Sequence, residues 1–270
     1  MNALEQIQRT FDLARAEGRA ALMPYFTIGY PDLQTSFEIV CAIAESGADL
    51  IELGIPFSDP LADGPTIQYS TQVALQNGVN IHTCLDFVKN LREQGLTTPI
   101  FFMGYYNPIF NYGEERFAKA VSECGGQGLI VPDLPPEEAG ELRRNCRNHQ
   151  VAMVHLIAPT TPPERRQQIA ELSEGFLYVV SVTGVTGARK ALPPDLMDFL
   201  REVRAGTKIP LAVGFGVSTP EQAASLGQIV DGVIVGSALI EVVRRAEQPL
   251  RAVRTFIREL QTAMRRNIAG

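Results

Sequence analysis

The sequence predicts one α/β domain, a closed parallel (βα)8 barrel with an extra N-terminal helix, and three observations carry that prediction. Short apolar stretches that read as strands buried on both faces occur eight times, each followed by a polar or Gly/Pro-rich loop and then by a stretch of helical period. The 270 residues are 45% hydrophobic, enough for one large core, and no linker divides them. Eight strand-helix units in one undivided chain close naturally into a barrel; an open doubly wound sheet is the alternative on pattern alone. The expected domain is therefore residues 1–270, with its barrel core at about 20–265.

Taken in order, residues 2–17 are the extra helix, with Leu4, Ile7, Phe11 and Leu13 roughly on one side. The predicted strands are Ala21 to Ile28, Leu50 to Leu53, Ile100 to Met103, Gly128 to Val131, Met153 to Ile157, Phe176 to Val180, Leu211 to Val213 and Gly232 to Val235. Between them the 3.6-residue period aligns Phe37, Val40, Cys41 and Ala44, then Leu85, Val88, Leu91 and Leu96, and finally Leu250, Val253, Ile257 and Leu260. Two helix starts carry a hydroxyl cap, a first-turn proline and a Glu: Thr161-Pro162-Pro163-Glu164 and Ser218-Thr219-Pro220-Glu221.

Composition narrows the chemistry. A net charge of −6 without a Lys/Arg run argues against a nucleic-acid surface, whose affinity rests on neutralising phosphates. The four cysteines, Cys41, Cys84, Cys124 and Cys146, have no CxxC spacing, and His82 and Cys84 have no further ligands in a metal-like pattern. Buried free thiols and no metal are expected. The first residues lack the apolar core of a signal peptide, and no apolar run approaches the roughly 20 residues of a membrane helix. A cytoplasmic protein is the expectation.

In a barrel of this kind the working residues lie at the carboxyl ends of the strands. The stretch ADLIELGIPFSDPLADGPTIQ, Ala48 to Gln68, is the most chemical of these ends. Glu52 falls near the end of a buried strand, where a carboxyl group is costly unless it serves a site. Prolines and glycines then hold Asp59 and Asp63 in a fixed turn. Desolvation would raise the proton affinity of Glu52 and let it give and take a proton near neutral pH, while Asp63, in a polar turn, would stay ionised. The plainer alternative puts Glu52 in a core salt bridge and Asp63 at a helix cap. Gly214-Phe215-Gly216 and Gly236-Ser237 follow the last two strands, where backbone N–H groups and a helix start suit a phosphate, or serve only tight turns. Thr183 to Lys190, TGVTGARK, lacks P-loop spacing and suits a closing lid or an idle loop.

The motifs YFTIGYPD, IELGIPFSDPLADGPTIQ, MGYYNPIF, VPDLP, SVTGVTGAR, VGFGVST and VGSAL, in this order from about Ala21 to Ile257, resemble the tryptophan synthase alpha subunit family. That resemblance implies a TIM barrel catalysing reversible retro-aldol cleavage of indole-3-glycerol phosphate to indole and glyceraldehyde 3-phosphate. It also implies passage of indole to a PLP-dependent beta subunit in an alpha2beta2 heterotetramer, with no cofactor in this chain. By motif position, Glu52 matches the general acid/base and Asp63 the carboxylate that engages the indole N–H. Gly187, Gly216, Gly236 and Ser237 match the phosphate site, and Tyr25, Met103, Tyr178, Phe215 and Ile234 the indole pocket. Thr186 matches the closing-loop threonine, and Asp59, Pro60, Asn107 and Pro135 the contact face for the beta subunit. Two departures stand out: Tyr25, where many relatives carry Phe, and Val182, where many bacterial members carry a charge. A stand-alone lyase that releases indole without a partner, and a non-catalytic module that only activates a beta subunit, share parts of this pattern; a pure binder has no use for both Glu52 and Asp63.

Overall fold

The computed structural model describes residues 2–180, 195–214 and 216–265. Strands β1 (Ala21–Thr27), β2 (Ile51–Gly54), β3 (Ile100–Met103), β4 (Gly128–Ile130) and β5 (Ala152–Val154) pair successively in parallel. From the other edge of β1 the ring continues through β9 (Gly232–Val235), β8 (Leu211–Gly214), β7 (Leu177–Val180) and β6 (Leu156–Ile157), again all parallel. β5 and β6 are two halves of the single strand predicted from Met153 to Ile157, the first bonded to β4 and the second to β7. The residue between them, His155, donates its N–H to Ser173 Oγ at 3.0 Å, and its carbonyl accepts from Tyr178 at 3.1 Å. Backbone groups at the break are thus satisfied. The result is the expected TIM barrel, with every strand end that was predicted to carry chemistry on one face.

Around the strands lie α1 (Ala3–Ala16), α2 (Leu33–Glu45), α3 (Pro65–Gln76), α4 (Ile81–Glu93), α5 (Tyr106–Tyr112), α6 (Glu114–Glu123), α7 (Gly140–Asn148), α8 (Pro163–Leu172), α9 (Leu196–Gly206), α10 (Pro220–Gly227), α11 (Ser237–Arg245) and α12 (Pro249–Met264). The extra helix α1 starts at a capping box between Asn2 and Glu5. It buries Ile7, Phe11 and Ala14, spaced i, i+4, i+7, whereas Leu4 and Leu13 stand 46% and 53% exposed, off the packed stripe. Phe11 meets Phe176 at 6.0 Å between ring centroids, and Phe176 meets Phe101 at 5.3 Å, so aromatic rings close the amino end of the barrel. At the same end Arg19, 5% exposed, forks onto Asp49 at 2.5 and 2.8 Å, and Asp49 also accepts from Leu22 N–H at 2.7 Å. That pair pins the chain as it turns into β1.

Local expectations held unevenly. On α2 the deepest residues are Ile39, Val40, Ala42 and Ile43, and Phe37, Cys41 and Ala44 flank them, because β1, α4 and α12 together press on a wider face than one row. Thr219 caps α10 as predicted, its Oγ1 accepting from Gln222 N–H at 3.3 Å. Thr161 does not cap α8: its hydroxyl accepts from Ala158 N–H at 3.0 Å, and Pro162 takes the cap position without a side-chain bond. Cys84, Cys124 and Cys146 are buried and Cys41 half-buried, all as free thiols. Among the described residues no helix is long and apolar enough to cross a membrane.

Candidate active site

At the carboxyl end of the barrel a cavity opens between β1, β3, β7, β9 and the starts of α3 and α11. Tyr25, Met103, Tyr178 and Ile234, predicted for a ring pocket, line it together with Asp63, Gly216, Gly236 and Ser237. Phe215, Thr186 and Gly187 lie outside the described residues. Space for the two tyrosine rings comes from glycines across the sheet: a Cβ on Gly54 would collide with the Tyr25 hydroxyl, and one on Gly214 with that of Tyr178.

Glu52 is one register step from the wall, paired with Tyr25 on β1 and Phe101 on β3. It has no solvent exposure, and among the described residues neither carboxyl oxygen has a hydrogen-bond partner. The core salt bridge offered as an alternative is therefore not formed. Burial alone pushes the Glu52 carboxyl well above the usual carboxylate range, so the neutral acid is favoured. Its charge, when present, is felt by both Tyr25 and Tyr178. An unpaired, desolvated carboxyl beside a cavity holds a proton that it can give to a ligand and recover afterwards.

Asp63 departs from expectation. It is 6% exposed rather than set in an open polar turn, and burial raises its carboxyl to about 6, with a Tyr105 hydrogen bond acting the other way. It does not cap α3 either, since Gly64 is the cap residue and offers no side chain. What holds it is the backbone: Asp63 N–H bonds Pro60 O at 3.1 Å and Gln68 Nε2 donates to Asp63 O at 2.8 Å. Near neutral pH the ionised form still prevails, so Asp63 puts a carboxylate on the cavity wall, while Glu52, which does not itself line the cavity, lies behind that wall with its proton favoured by burial.

α11 starts on the cavity wall: Gly236 precedes it and contributes no capping side chain, and Ser237 opens the helix beside it. Gly216 reaches the same wall with a φ of +94°, a conformation that glycine takes without strain.

Two participants escaped the sequence reading. Tyr105 falls inside the MGYYNPIF motif, which gave it no role of its own; its hydroxyl accepts from Ala62 N–H at 3.0 Å and supports Asp63. Ile67, on the first turn of α3, lines the cavity, and the only signal was its place in the DGPTIQ segment that leaves the site. Asp59 and half-buried Pro60 are on the loop after β2, Asn107 is on α5 and Pro135 on the loop after β4; Asp59, Asn107 and Pro135 are exposed, and none of the four lines the cavity. Leu61, 84% exposed, stands beside Pro60, and Phe110, 62% exposed, stands on α5 with Asn107.

The class of protein so defined is a (βα)8 barrel whose working face is the carboxyl end of its strands. A family model described as tryptophan synthase alpha chain matches residues 11–268, and the chain belongs to that family. The tryptophan synthase alpha chain of Chloroflexus aurantiacus is 49% identical over 265 residues, covering 97% of this chain and 100% of that one. A chain of Mycobacterium tuberculosis tryptophan synthase superposes with a TM-score of 0.89 at 40% identity, covering 97% of this chain and 98% of its own length. Tryptophan synthase subunit alpha of Legionella pneumophila gives a TM-score of 0.86 at 37% identity, with 98% of each chain covered.

Proposed function

We propose that this chain cleaves indole-3-glycerol phosphate to indole and glyceraldehyde 3-phosphate, as the alpha component of a tryptophan-forming lyase. The observation that carries the reading is Glu52: a fully buried, unpartnered carboxyl paired in register with Tyr25 behind a cavity wall that carries Asp63. In the forward direction Glu52 protonates indole C3, giving an indoleninium cation, and its carboxylate then accepts the proton of the side-chain hydroxyl next to the scissile bond. The C–C electrons return to the ring as the hydroxyl becomes the aldehyde, and Glu52 ends as it began, protonated. Asp63 receives the ring N–H and offsets the positive charge there. The apolar wall of Tyr25, Met103, Tyr178 and Ile234 stacks the ring, with Phe215 added from the family pattern.

Phosphate is assigned to Gly216, Gly236 and Ser237 at the start of α11, where N–H groups and the helix dipole favour an anion. Gly187 and the closing-loop Thr186 complete the site by resemblance. The released indole passes to a PLP-dependent beta subunit within an alpha2beta2 assembly in the cytoplasm, and this chain itself uses no cofactor. Asp59, Pro60, Asn107 and Pro135 are assigned to that contact, a placement supported by the exposed Leu61 beside Pro60 and the exposed Phe110 on α5 with Asn107. Incubating the purified chain with indole-3-glycerol phosphate is expected to release indole and glyceraldehyde 3-phosphate in equal amounts, read by chromatography. Consumption of substrate with any other product pair contradicts the reaction.

A further inference from the structure

A line of buried hydroxyls leads from the cavity wall into α3, and its polarity is fixed from the far end. Ser70 Oγ donates to the Ile67 carbonyl at 2.9 Å, which uses the one proton a serine hydroxyl has. The 2.7 Å bond between Ser70 Oγ and Thr27 Oγ1 therefore has Thr27 as its donor. With that proton committed, the 3.4 Å contact between Thr27 Oγ1 and the Tyr25 hydroxyl has the phenol as donor. Thr27 and Ser70 have no solvent exposure, so water does not compete for these bonds. The Tyr25 oxygen is left with lone pairs alone for the cavity, on the wall it shares with Asp63.

We propose that Tyr25 is a specificity-determining residue, its phenol oxygen held as a hydrogen-bond acceptor beside Asp63 by the Thr27–Ser70 chain. The cavity then selects a planar bicyclic ligand that brings an N–H over an isostere that brings a bare oxygen. Two acceptors facing one wall are satisfied by a ligand donor and left unpaired by a ligand lone pair. Thr27 and Ser70 act as positioning residues through Tyr25. The ligand class rests on the indole-bearing substrate proposed above; the polarity of the chain does not.

The test is calorimetric binding of indole and of 1-benzofuran, its oxygen isostere, to the full chain. The wild type is expected to prefer indole by about tenfold or more. Thr27→Val keeps both Tyr25 and Asp63 but frees the phenol to turn its proton toward the Asp63 carboxylate, and is expected to lower the preference about three- to tenfold. Tyr25→Phe lowers it as well, while Thr27→Ser restores the wild-type ratio. A purely structural role for Thr27 would weaken both probes alike and leave the ratio in place. Should Thr27→Val fold poorly, Ser70→Ala releases the same constraint from the other side. A ratio unmoved in these variants, equal binding of the two probes, or binding of neither overturns the proposal. If the ratio responds but indole-3-glycerol phosphate is not cleaved, the substrate assignment falls and the hydroxyl chain stands; cleavage with an unresponsive ratio removes only the present inference.

Discussion

Replacing Glu52 by Gln keeps the shape of the side chain and removes its transferable proton. General acid–base transfer by one positioned group is worth roughly 10²- to 10⁴-fold in rate, or about 3–5 kcal/mol of barrier. Glu52 is assigned two such transfers in one turnover, so the expected loss of kcat for indole release lies at the upper end of that range. KM should change little, because no hydrogen bond from Glu52 is lost and the cavity wall itself is untouched. Stability provides an independent check with a definite sign. The folded-state proton affinity of Glu52 is raised above the unfolded value of 4.5, so its contribution is intact below that pH and is lost as pH rises through the folded value. Thermal melts of Glu52→Gln should therefore gain on the wild type as pH increases. Indole release would be followed by absorbance with a coupled dehydrogenase for the aldehyde, and melts by circular dichroism from pH 5 to 9. An active variant refutes the proton-shuttle role. A variant that loses several kcal/mol of stability would mean that Glu52 has a charged partner, contrary to its buried, unpaired state.

Asp63→Asn should abolish most turnover and, unlike a cap mutation, stabilise the fold at alkaline pH. The rise of Asp63 from 3.8 to about 6 corresponds to about 3 kcal/mol of stability that is fully present below the unfolded value and lost as pH rises through the folded one; denaturant melts at pH 4 and 8 read that difference. Gly216→Val would be a poor probe of the phosphate site, since φ is +94° there and any side chain adds strain. Gly236→Ala is cleaner: its Cβ would stand 3.2 Å from Tyr25 Cδ1, and a several-fold rise in KM with a nearly unchanged Tm is expected from steady-state kinetics and melts. His155, 2% exposed, is held neutral by burial, its value lowered from 6.5 to about 4. Stability should thus fall by about 3 kcal/mol as pH drops across that window, and His155→Met should remove this part of the acid limb in denaturant titrations.

Much of the barrel was legible because strands buried on both faces carry unbroken apolar runs, and Ile100–Met103 and Gly232–Val235 match their predicted limits. The break at His155 was not, since it depends on Ser173 reaching back from eighteen residues away to satisfy a backbone N–H. The stripe on α1 differs for a related reason: Leu4 and Leu13 are apolar but stand about half exposed beside the packed row, and only the aromatic plug of Phe101 and Phe176 shows which face is covered. Glu52 announced itself by the cost of a carboxyl on a buried strand, whereas the burial of Asp63 was hidden, because proline-rich turns read as open until the barrel folds them inward. The polarity of the Tyr25–Thr27–Ser70 chain lay beyond any sequence pattern, as it joins residues of β1 to α3 across 43 positions.

The measurement that bears most directly on the account is indole release from indole-3-glycerol phosphate by the purified chain, with and without a PLP-bearing beta subunit. Slow turnover that rises sharply when the partner is added is the predicted result. Fast turnover that ignores the partner would make the chain a stand-alone lyase, and no turnover in either condition would contradict the assignment of Glu52 and Asp63 as a catalytic pair.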